Sequence, residues 1–236
     1  MRWCRAAGSE WNQAGCAAHS PTAASQETEA DMDGDKSRGH TETSTLHEMR
    51  MECTVEYAVQ TPERPSVDAS LLVALHGWGQ TASAFLRWFA PLRERGVLVV
   101  APQAPHPFYL DWETKRVGFS WLTRYRRDDA MANINRYLDR LIGAISKRPG
   151  YDDRRLFVLG FSQGASVAYR YAMASRRRLA GVVSCAADLP SDVAAGLEKR
   201  APLPVLLVHG EKDLIVPPSA MQEAHTTLTA HGYPTT

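Results

Sequence analysis

A serine between two glycines is the first candidate for chemistry in this sequence. Residues 155 to 161 (RLFVLGF) read as a strand, and Ser162 follows within GFSQGA, ahead of a helical pattern. A serine in such a turn would place its hydroxyl at a helix N-terminus, where backbone N–H groups and the dipole stabilise developing negative charge. The pattern predicts a nucleophile. The alternative is a serine that only caps the helix in an ordinary connection.

A second glycine-rich turn supplies candidate hydrogen-bond donors. LHGWG, Leu75 to Gly79, directly follows the apolar run LLVAL. The carboxyl ends of parallel strands line one crevice, so this turn is expected to meet Ser162. The main-chain N–H groups of Trp78 and Gln163 are then predicted to form an oxyanion hole. The alternative is a strand-ending turn that needs glycine only for its backbone conformation.

A carboxylate follows the last apolar run of the chain. Within VHGEKDLIVP, 208 to 217, Asp213 is predicted to accept a hydrogen bond from a catalytic histidine and to orient its ring. Glu211 is a neighbouring competitor, and Asp188 is another because it also follows a predicted strand. A surface carboxylate in a loop is the alternative interpretation of all three.

The histidine that should complete a triad is the difficulty. It is expected last in the order Ser, Asp, His, after one more helix and strand. Only His225 and His231 follow Asp213. His225 lies inside a helical pattern, and His231 lies at the end of that helix, where it suits the dipole. The sequence then stops at GYPTT, so we expect a C-terminal truncation before the last strand. His231 is the candidate base only in a rearranged triad.

The elements that must position these residues alternate along the chain. Strands are predicted at 53 to 60, 70 to 77, 96 to 104, 155 to 161, 179 to 187 and 203 to 210, with helical patterns at 82 to 96, 128 to 148, 163 to 176 and 218 to 231. Residues 105 to 127 are predicted as a polar, aromatic loop. This alternation predicts an α/β fold, a doubly wound and mostly parallel sheet with helices on both faces.

These motifs together resemble the α/β-hydrolase superfamily and, within it, the phospholipase/carboxylesterase family that includes the acyl-protein thioesterases. LHGWG, APQAP, GFSWL, GFSQGA and HGEKDLIVP carry the resemblance, which spans about residues 70 to 217. It implies Ser162 as nucleophile, Asp213 as triad acid, and the Trp78 and Gln163 amides as the oxyanion hole. It also implies no metal and no dissociable cofactor. In the family the histidine follows the final strand within a GH turn, which is absent here.

The expected function is hydrolysis of a carboxylic ester or thioester through an acyl-enzyme. Two alternatives remain: a non-catalytic remnant that binds acyl ligands, and a serine hydrolase acting on peptides or polymeric esters. The aromatic loop is expected to line an acyl or alcohol pocket, with core packing as the alternative for Trp121. Its aromatic residues are Phe108, Tyr109, Trp112, Phe119 and Trp121. His76 and His209 are predicted to be structural.

Composition excludes several other classes. The net charge is +1, and the basic stretches RYRR and SRRR are short and contain a single aromatic residue, Tyr125, so nucleic-acid binding is not expected. No apolar run reaches the length of a membrane helix, and the N-terminus lacks the apolar core of a signal peptide. The four cysteines form no CxxC pair. These features predict a soluble, cytoplasmic protein without membrane insertion, and they leave its oligomeric state open.

The chain divides by composition at about residue 50. Residues 1 to 50 contain no Val, Ile, Phe or Tyr and a single Leu, Leu46. Such a segment buries too little apolar surface to offset its ordering entropy, so we predict a disordered extension followed by one hydrolase domain at 51 to 236. A regulatory role competes with the favoured interpretation, in which the true start is Met32, Met49 or Met51.

Overall fold

The central feature of the fold is a six-stranded sheet of order β1-β3-β2-β6-β7-β8. A computed structural model describes residues 47–49, 51–64, 69–147 and 151–236. Within these residues the strands are β1 (Tyr57–Gln60), β2 (Ala69–Leu75), β3 (Val97–Pro102), β4 (His106–Asp111), β5 (Arg116–Ser120), β6 (Tyr151–Phe161), β7 (Gly181–Cys185) and β8 (Val205–Val208). All neighbours in the sheet are parallel except β1 and β3, which are antiparallel. The predicted mostly parallel sheet is confirmed.

Helices pack on both faces of the sheet. They are α1 (Ala82–Leu86), a 3₁₀ helix at Arg87–Leu92, α2 (Arg127–Ile145), α3 (Gln163–Ala174), α4 (Ser191–Ala194), a 3₁₀ turn at Leu197–Lys199 and α5 (Pro218–Ala230). Buried residues of α2, α3 and α5 share the larger apolar cluster, whereas Phe85 of α1 and Phe89 belong to a smaller one. Strand β2 sends Leu71 and Val73 to the first cluster and Leu72 to the second, which explains its uninterrupted apolar sequence.

Two predicted elements are wrong in detail. The predicted loop 105 to 127 contains β4 and β5, which form an antiparallel hairpin outside the main sheet. The prolines and polar residues of this segment favoured a loop, so its two short strands were not predicted. The helix predicted at 82 to 96 is five α-helical residues followed by a 3₁₀ helix that contains Pro91, a residue that cannot donate the helical hydrogen bond.

After α5 the chain begins to pair with β8. The Val205 N–H donates to Pro234 O at 2.8 Å, and the Leu207 N–H donates to Thr236 O at 2.8 Å. Val205 and Thr235 form a parallel bridge. Residues 234 to 236 therefore take the position of a further parallel strand.

The residues from Met51 to Thr236 form one compact unit. The predicted extension at 1 to 50 lies almost entirely outside the described residues. Judged by length and apolarity, none of the described helices could cross a bilayer.

Candidate active site

Ser162 occupies a strained turn between β6 and α3. Its backbone has φ 52° and ψ −118°, a conformation that residues with a side chain rarely adopt. Its N–H donates to Cys185 O at 2.9 Å, and its carbonyl accepts the Ala165 N–H at 2.9 Å, which fixes the turn from both sides. Strain of this kind persists only where surrounding contacts impose it, and it occurs often at active sites.

The two flanking glycines are required by close backbone packing. A Cβ on Gly160 would collide with the backbone of Gly164 and Ala165. A Cβ on Gly164 would collide with the Leu75 carbonyl and lie 2.7 Å from His76 O. The serine turn and the LHGWG turn are therefore in direct contact, as the sequence predicted.

The LHGWG turn contains a main-chain N–H, that of Trp78, with no hydrogen-bond acceptor among the described residues. The Gly77 N–H donates to Gln80 Oε1 at 2.7 Å, and the Gly79 N–H donates to Phe119 O at 2.8 Å. Within the described part of the chain, neither the Trp78 N–H nor the Gln163 N–H has a hydrogen-bond acceptor. Two free main-chain donors thus belong to the two turns that Gly164 brings together.

His76 is a structural residue at the end of β2. It is fully buried, and its Nε2 accepts hydrogen bonds from the Ala104 N–H at 3.1 Å and from Gln103 Nε2 at 2.8 Å. Nδ1 therefore carries the proton and donates to Gly77 O at 2.8 Å. Burial lowers the pKa of His76 to about 4, which keeps the ring neutral near pH 7.

Trp121 and the Gln163 side chain join the two turns a second time. The Trp121 indole Nε1–H donates to His76 O at 2.8 Å, and its main-chain N–H donates to Gln163 Oε1 at 2.8 Å. Gln163 Nε2 donates in turn to Leu122 O at 2.8 Å. Trp121 is fully buried, so the expectation that it lines a pocket is wrong and the core-packing alternative holds.

The other residues of the aromatic loop take three positions. Phe119 is half-buried against the larger core cluster. Phe108 stacks on the exposed Trp78 ring at 4.8 Å between centroids. Tyr109 and Trp112 are exposed on the hairpin, with their ring centroids 4.4 Å apart. The Trp78–Phe108 pair thus places an apolar surface at the LHGWG turn.

Asp213 lies in a loop two strands away from Ser162. Phe161, Cys185 and Val208 share one register row across β6, β7 and β8, so both loops leave the sheet at the same edge. Asp213 Oδ1 accepts the N–H groups of Ile215 at 2.9 Å and Val216 at 3.0 Å. The carboxylate thus stabilises its own turn, and no hydrogen bond among the described residues connects it with Ser162.

His209 is buried beneath the Asp213 loop. Its Nε2 donates to Val216 O at 2.7 Å and lies 3.7 Å from Asp213 Oδ2. The role agrees with the structural interpretation. Glu211 and Asp188 are exposed, and within the described residues neither carboxylate forms a hydrogen bond or ion pair.

His231 is not brought to Ser162. It caps the C-terminus of α5, with Nδ1 bonded to Thr227 O at 2.8 Å and Nε2 3.9 Å from Glu198 Oε1. Three residues later Pro234 pairs with the first residue of β8, which places this segment at the amino edge of the sheet. His225 is exposed on α5. The length of β8 therefore separates His231 from Ser162, so the structure does not place His231 as its base.

Cys185, whose main-chain carbonyl accepts the Ser162 N–H, does not carry a competing nucleophile. Burial raises the pKa of Cys185 to about 11, so the thiol stays protonated near pH 7.

Sequence reasoning missed the residues that connect the turns. Gln103 accepts the Ala82 N–H at 2.9 Å through Oε1 while its Nε2 contacts His76, so it ties α1 to the LHGWG turn. Ser120 Oγ lies 3.2 Å from Gln163 Oε1. The motifs APQAP and GFSWL contain these residues and Trp121. Both motifs were recognised in the sequence, but no role was assigned to their side chains.

Comparisons with known proteins identify the family and the fold. A family model described as Phospholipase/Carboxylesterase matches residues 55–233. The crystal structure of esterase PE8 is 26% identical, with a TM-score of 0.59, covering 75% of this chain and 86% of that one. A phospholipase/carboxylesterase from Dyadobacter fermentans is 22% identical, with a TM-score of 0.55 and coverage of 78% and 87%. Zea mays acyl-protein thioesterase 2 is 19% identical, with a TM-score of 0.54 and coverage of 76% and 86%. The last two show likeness of fold.

Proposed function

Because the chain belongs to the phospholipase/carboxylesterase family, an esterase-type hydrolase family, we propose that it carries a serine hydrolase site for carboxylic esters or thioesters. One observation supports this most: Ser162 is held at φ 52° in a turn that is packed against a second turn, and the Trp78 and Gln163 N–H groups of these turns have no acceptor among the described residues. This arrangement suits a nucleophile beside a site for negative charge.

The proposed reaction proceeds through an acyl-enzyme. Ser162 Oγ attacks the carbonyl carbon while its proton passes to a base, and the carbonyl oxygen becomes an oxyanion bound by the Trp78 and Gln163 N–H groups. The carbonyl re-forms as the bond to the alcohol or thiol breaks, and the leaving group takes the proton. Water then repeats the sequence on the acyl-serine and releases the acid.

Asp213 is proposed as the residue that orients the base. Its loop leaves the same edge of the sheet as Ser162, and Oδ2 accepts no hydrogen bond within the described residues. That oxygen is free to accept an imidazole N–H and to stabilise the imidazolium. The exposed Trp78 and its partner Phe108 are proposed to contact the apolar part of the substrate.

We propose that none of the described histidines is the general base of this site. Among the described histidines none is hydrogen-bonded to Ser162. A serine hydroxyl without a base stays protonated, and loss of a triad member lowers the rate by several powers of ten. The 236-residue chain is therefore expected to hydrolyse esters at close to the background rate. We propose the cytoplasm as its compartment, since Cys53 and Cys185 are free thiols.

The same observation favours a second candidate function, a hydrolase fold that binds acyl ligands without catalysis. The two are separated by the rate of short-chain nitrophenyl ester hydrolysis in four proteins: this chain, its His231→Ala variant, a version extended by a strand and a histidine, and that extended version with Ser162→Ala. Serine hydrolysis predicts a large, Ser162-dependent rate in the extended protein alone. A rate that stays at background in the extended protein would favour the binding function. An ordinary enzyme rate in this chain that His231→Ala abolishes would overturn our placement of the base.

A further inference from the structure

We infer that Trp121 is a positioning residue that holds the two oxyanion donors at a fixed separation. The inference rests on the proposed function and adds a residue that does not touch the reacting atoms. Trp121 hydrogen-bonds to His76 through its indole and to Gln163 through its main chain. His76 lies two positions before the Trp78 N–H, and Gln163 carries the other donor itself.

The connection is buried, and its polar groups are fully used. Trp121 and His76 are both fully buried, with ring centroids 5.3 Å apart. The Gln163 amide is used at both ends, because Oε1 accepts the Trp121 N–H and Nε2 donates to Leu122 O. On the other side of the turns, Gly164 lies against the carbonyls of Leu75 and His76. Backbone contact sets the smallest separation of the two turns, and the Trp121 bonds prevent a larger one.

The position of Trp121 in the fold argues for a role beyond core filling. It follows β5, which belongs to the hairpin and not to the six-stranded sheet. A phenyl ring would also fill apolar space at this position, but it would leave the buried His76 carbonyl without the indole donor. An unsatisfied buried carbonyl is costly, and the turn can relieve that cost only by moving. A displacement of about 1 Å in such a site can lower a rate about a hundredfold.

The inference predicts different outcomes for two variants that each lose a side-chain hydrogen bond to a buried carbonyl. Trp121→Phe removes the indole N–H but keeps an aromatic ring and the main-chain bond to Gln163. Tyr233→Phe is the matched control, because Tyr233 is buried and its hydroxyl donates to Leu197 O at 3.1 Å, near the amino edge of the sheet. Each variant leaves one buried carbonyl without its side-chain donor. Trp121→Phe also removes ring volume from the core and is expected to lose more stability than Tyr233→Phe, which keeps its ring, but only Trp121→Phe should change the oxyanion site.

The test uses butaneboronic acid: Ser162 Oγ bonds to boron while the hydroxyl proton passes to a buffer base, and the tetrahedral anion that forms reports on the oxyanion donors without requiring turnover. Boron NMR gives the adduct and its Kd for the full chain. We expect an adduct that Ser162→Ala abolishes, a Kd within about twofold of the parent in Tyr233→Phe, and a Kd at least about tenfold weaker in Trp121→Phe. Should Trp121→Phe fail to fold, Gln163→Met removes the side-chain half of the same connection and is expected to weaken the Kd equally.

Two sets of results would overturn the inference. An adduct that depends on Ser162 and is equally tight in Trp121→Phe and the parent would refute positioning by Trp121 and leave the proposed function intact. The same holds for an equal loss of affinity in Tyr233→Phe, which would reveal a general effect of stability. Absence of a Ser162-dependent adduct in the parent would overturn the proposed function and the inference together.

Discussion

The two ends of the proposed site are built differently. The donor end, where Ser162 meets the LHGWG turn, is held by backbone contact at Gly164 and by buried side chains from separate parts of the chain, including Gln103 and Trp121. The acid end is a single loop after β8, and Asp213 mainly caps its own turn. Leu214 and Ile215 in that loop are 96% and 72% exposed. The donor end is therefore a property of the whole fold, whereas the acid end is a local structure.

The largest expected effect comes from adding one methyl group at the donor end. Gly164→Ala places a Cβ against Leu75 O and His76 O, both backbone atoms that can move only if β2 and α3 separate. We expect a loss of about 4 kcal/mol in the free energy of unfolding, or about 10 °C in Tm. Gly210→Ala is the control at the acid end, because its Cβ would meet no atom within 4 Å. Equal melting temperatures of the two variants would contradict the comparison.

Acid should weaken the donor end through His76. Burial lowers its pKa to about 4 in the folded chain from an ordinary value of 6.5, so as pH falls below 6.5 the unfolded chain binds a proton first. Stability that is present above pH 6.5 is lost progressively down to about pH 4, by about 3 kcal/mol in total. Denaturant unfolding of the parent and His76→Gln at several pH values measures this share. Parallel stability curves for the two proteins would show that His76 does not contribute.

At the acid end, the stability of the loop should depend on the hydrogen bonds that Asp213 Oδ1 accepts and not on the negative charge of the carboxylate. Asp213→Ala removes the acceptor of the Ile215 and Val216 N–H groups and should lower the free energy of unfolding by about 1 kcal/mol. Asp213→Asn keeps an acceptor for the turn, so its stability should stay within about 0.5 kcal/mol of the parent. Thermal unfolding of the two variants checks this. If Asn costs as much as Ala, the negative charge and not the turn holds the loop.

The smallest effects are expected at the two histidines of α5. His225 is exposed, and His231 forms one bond to Thr227 O in a helix cap. Alanine at either position should change stability by about 1 kcal/mol or less and should leave the boronate Kd unchanged. A weaker boronate Kd in His231→Ala would show that this residue reaches the site, against its position at the amino edge.

The sequence predicted those features that depend on local pattern. Apolar runs ending in GFSQGA and LHGWG were enough to place Ser162 and the Trp78 turn at one edge of a parallel sheet, because strand direction alone brings those ends together. The family resemblance was likewise confirmed by the match over residues 55–233.

The long-range hydrogen bonds could not be read from pattern. Trp121 looks like any aromatic residue in a loop, and only the fold shows that its indole meets the His76 carbonyl 45 positions away. The hairpin of β4 and β5 was missed because its strands contain Pro107 and Gly118 and lie outside the main sheet. The sequence alone did not rule out His231 as the base, because it does not show which edge of the sheet helix α5 runs towards. The pairing of Pro234 with Val205 shows that this is the amino edge.

The central claim, that Ser162 is a nucleophile at a built oxyanion site, is tested most directly with a fluorophosphonate, whose reactivity makes slow labelling measurable without turnover. The version extended by a strand and a histidine, and the same protein carrying Ser162→Ala or Ser166→Ala, are incubated with the reagent, and intact mass and peptide mapping locate the adduct. The account predicts one adduct on Ser162 in the parent and in Ser166→Ala, and none in Ser162→Ala. Equal labelling of the parent and Ser162→Ala would contradict it.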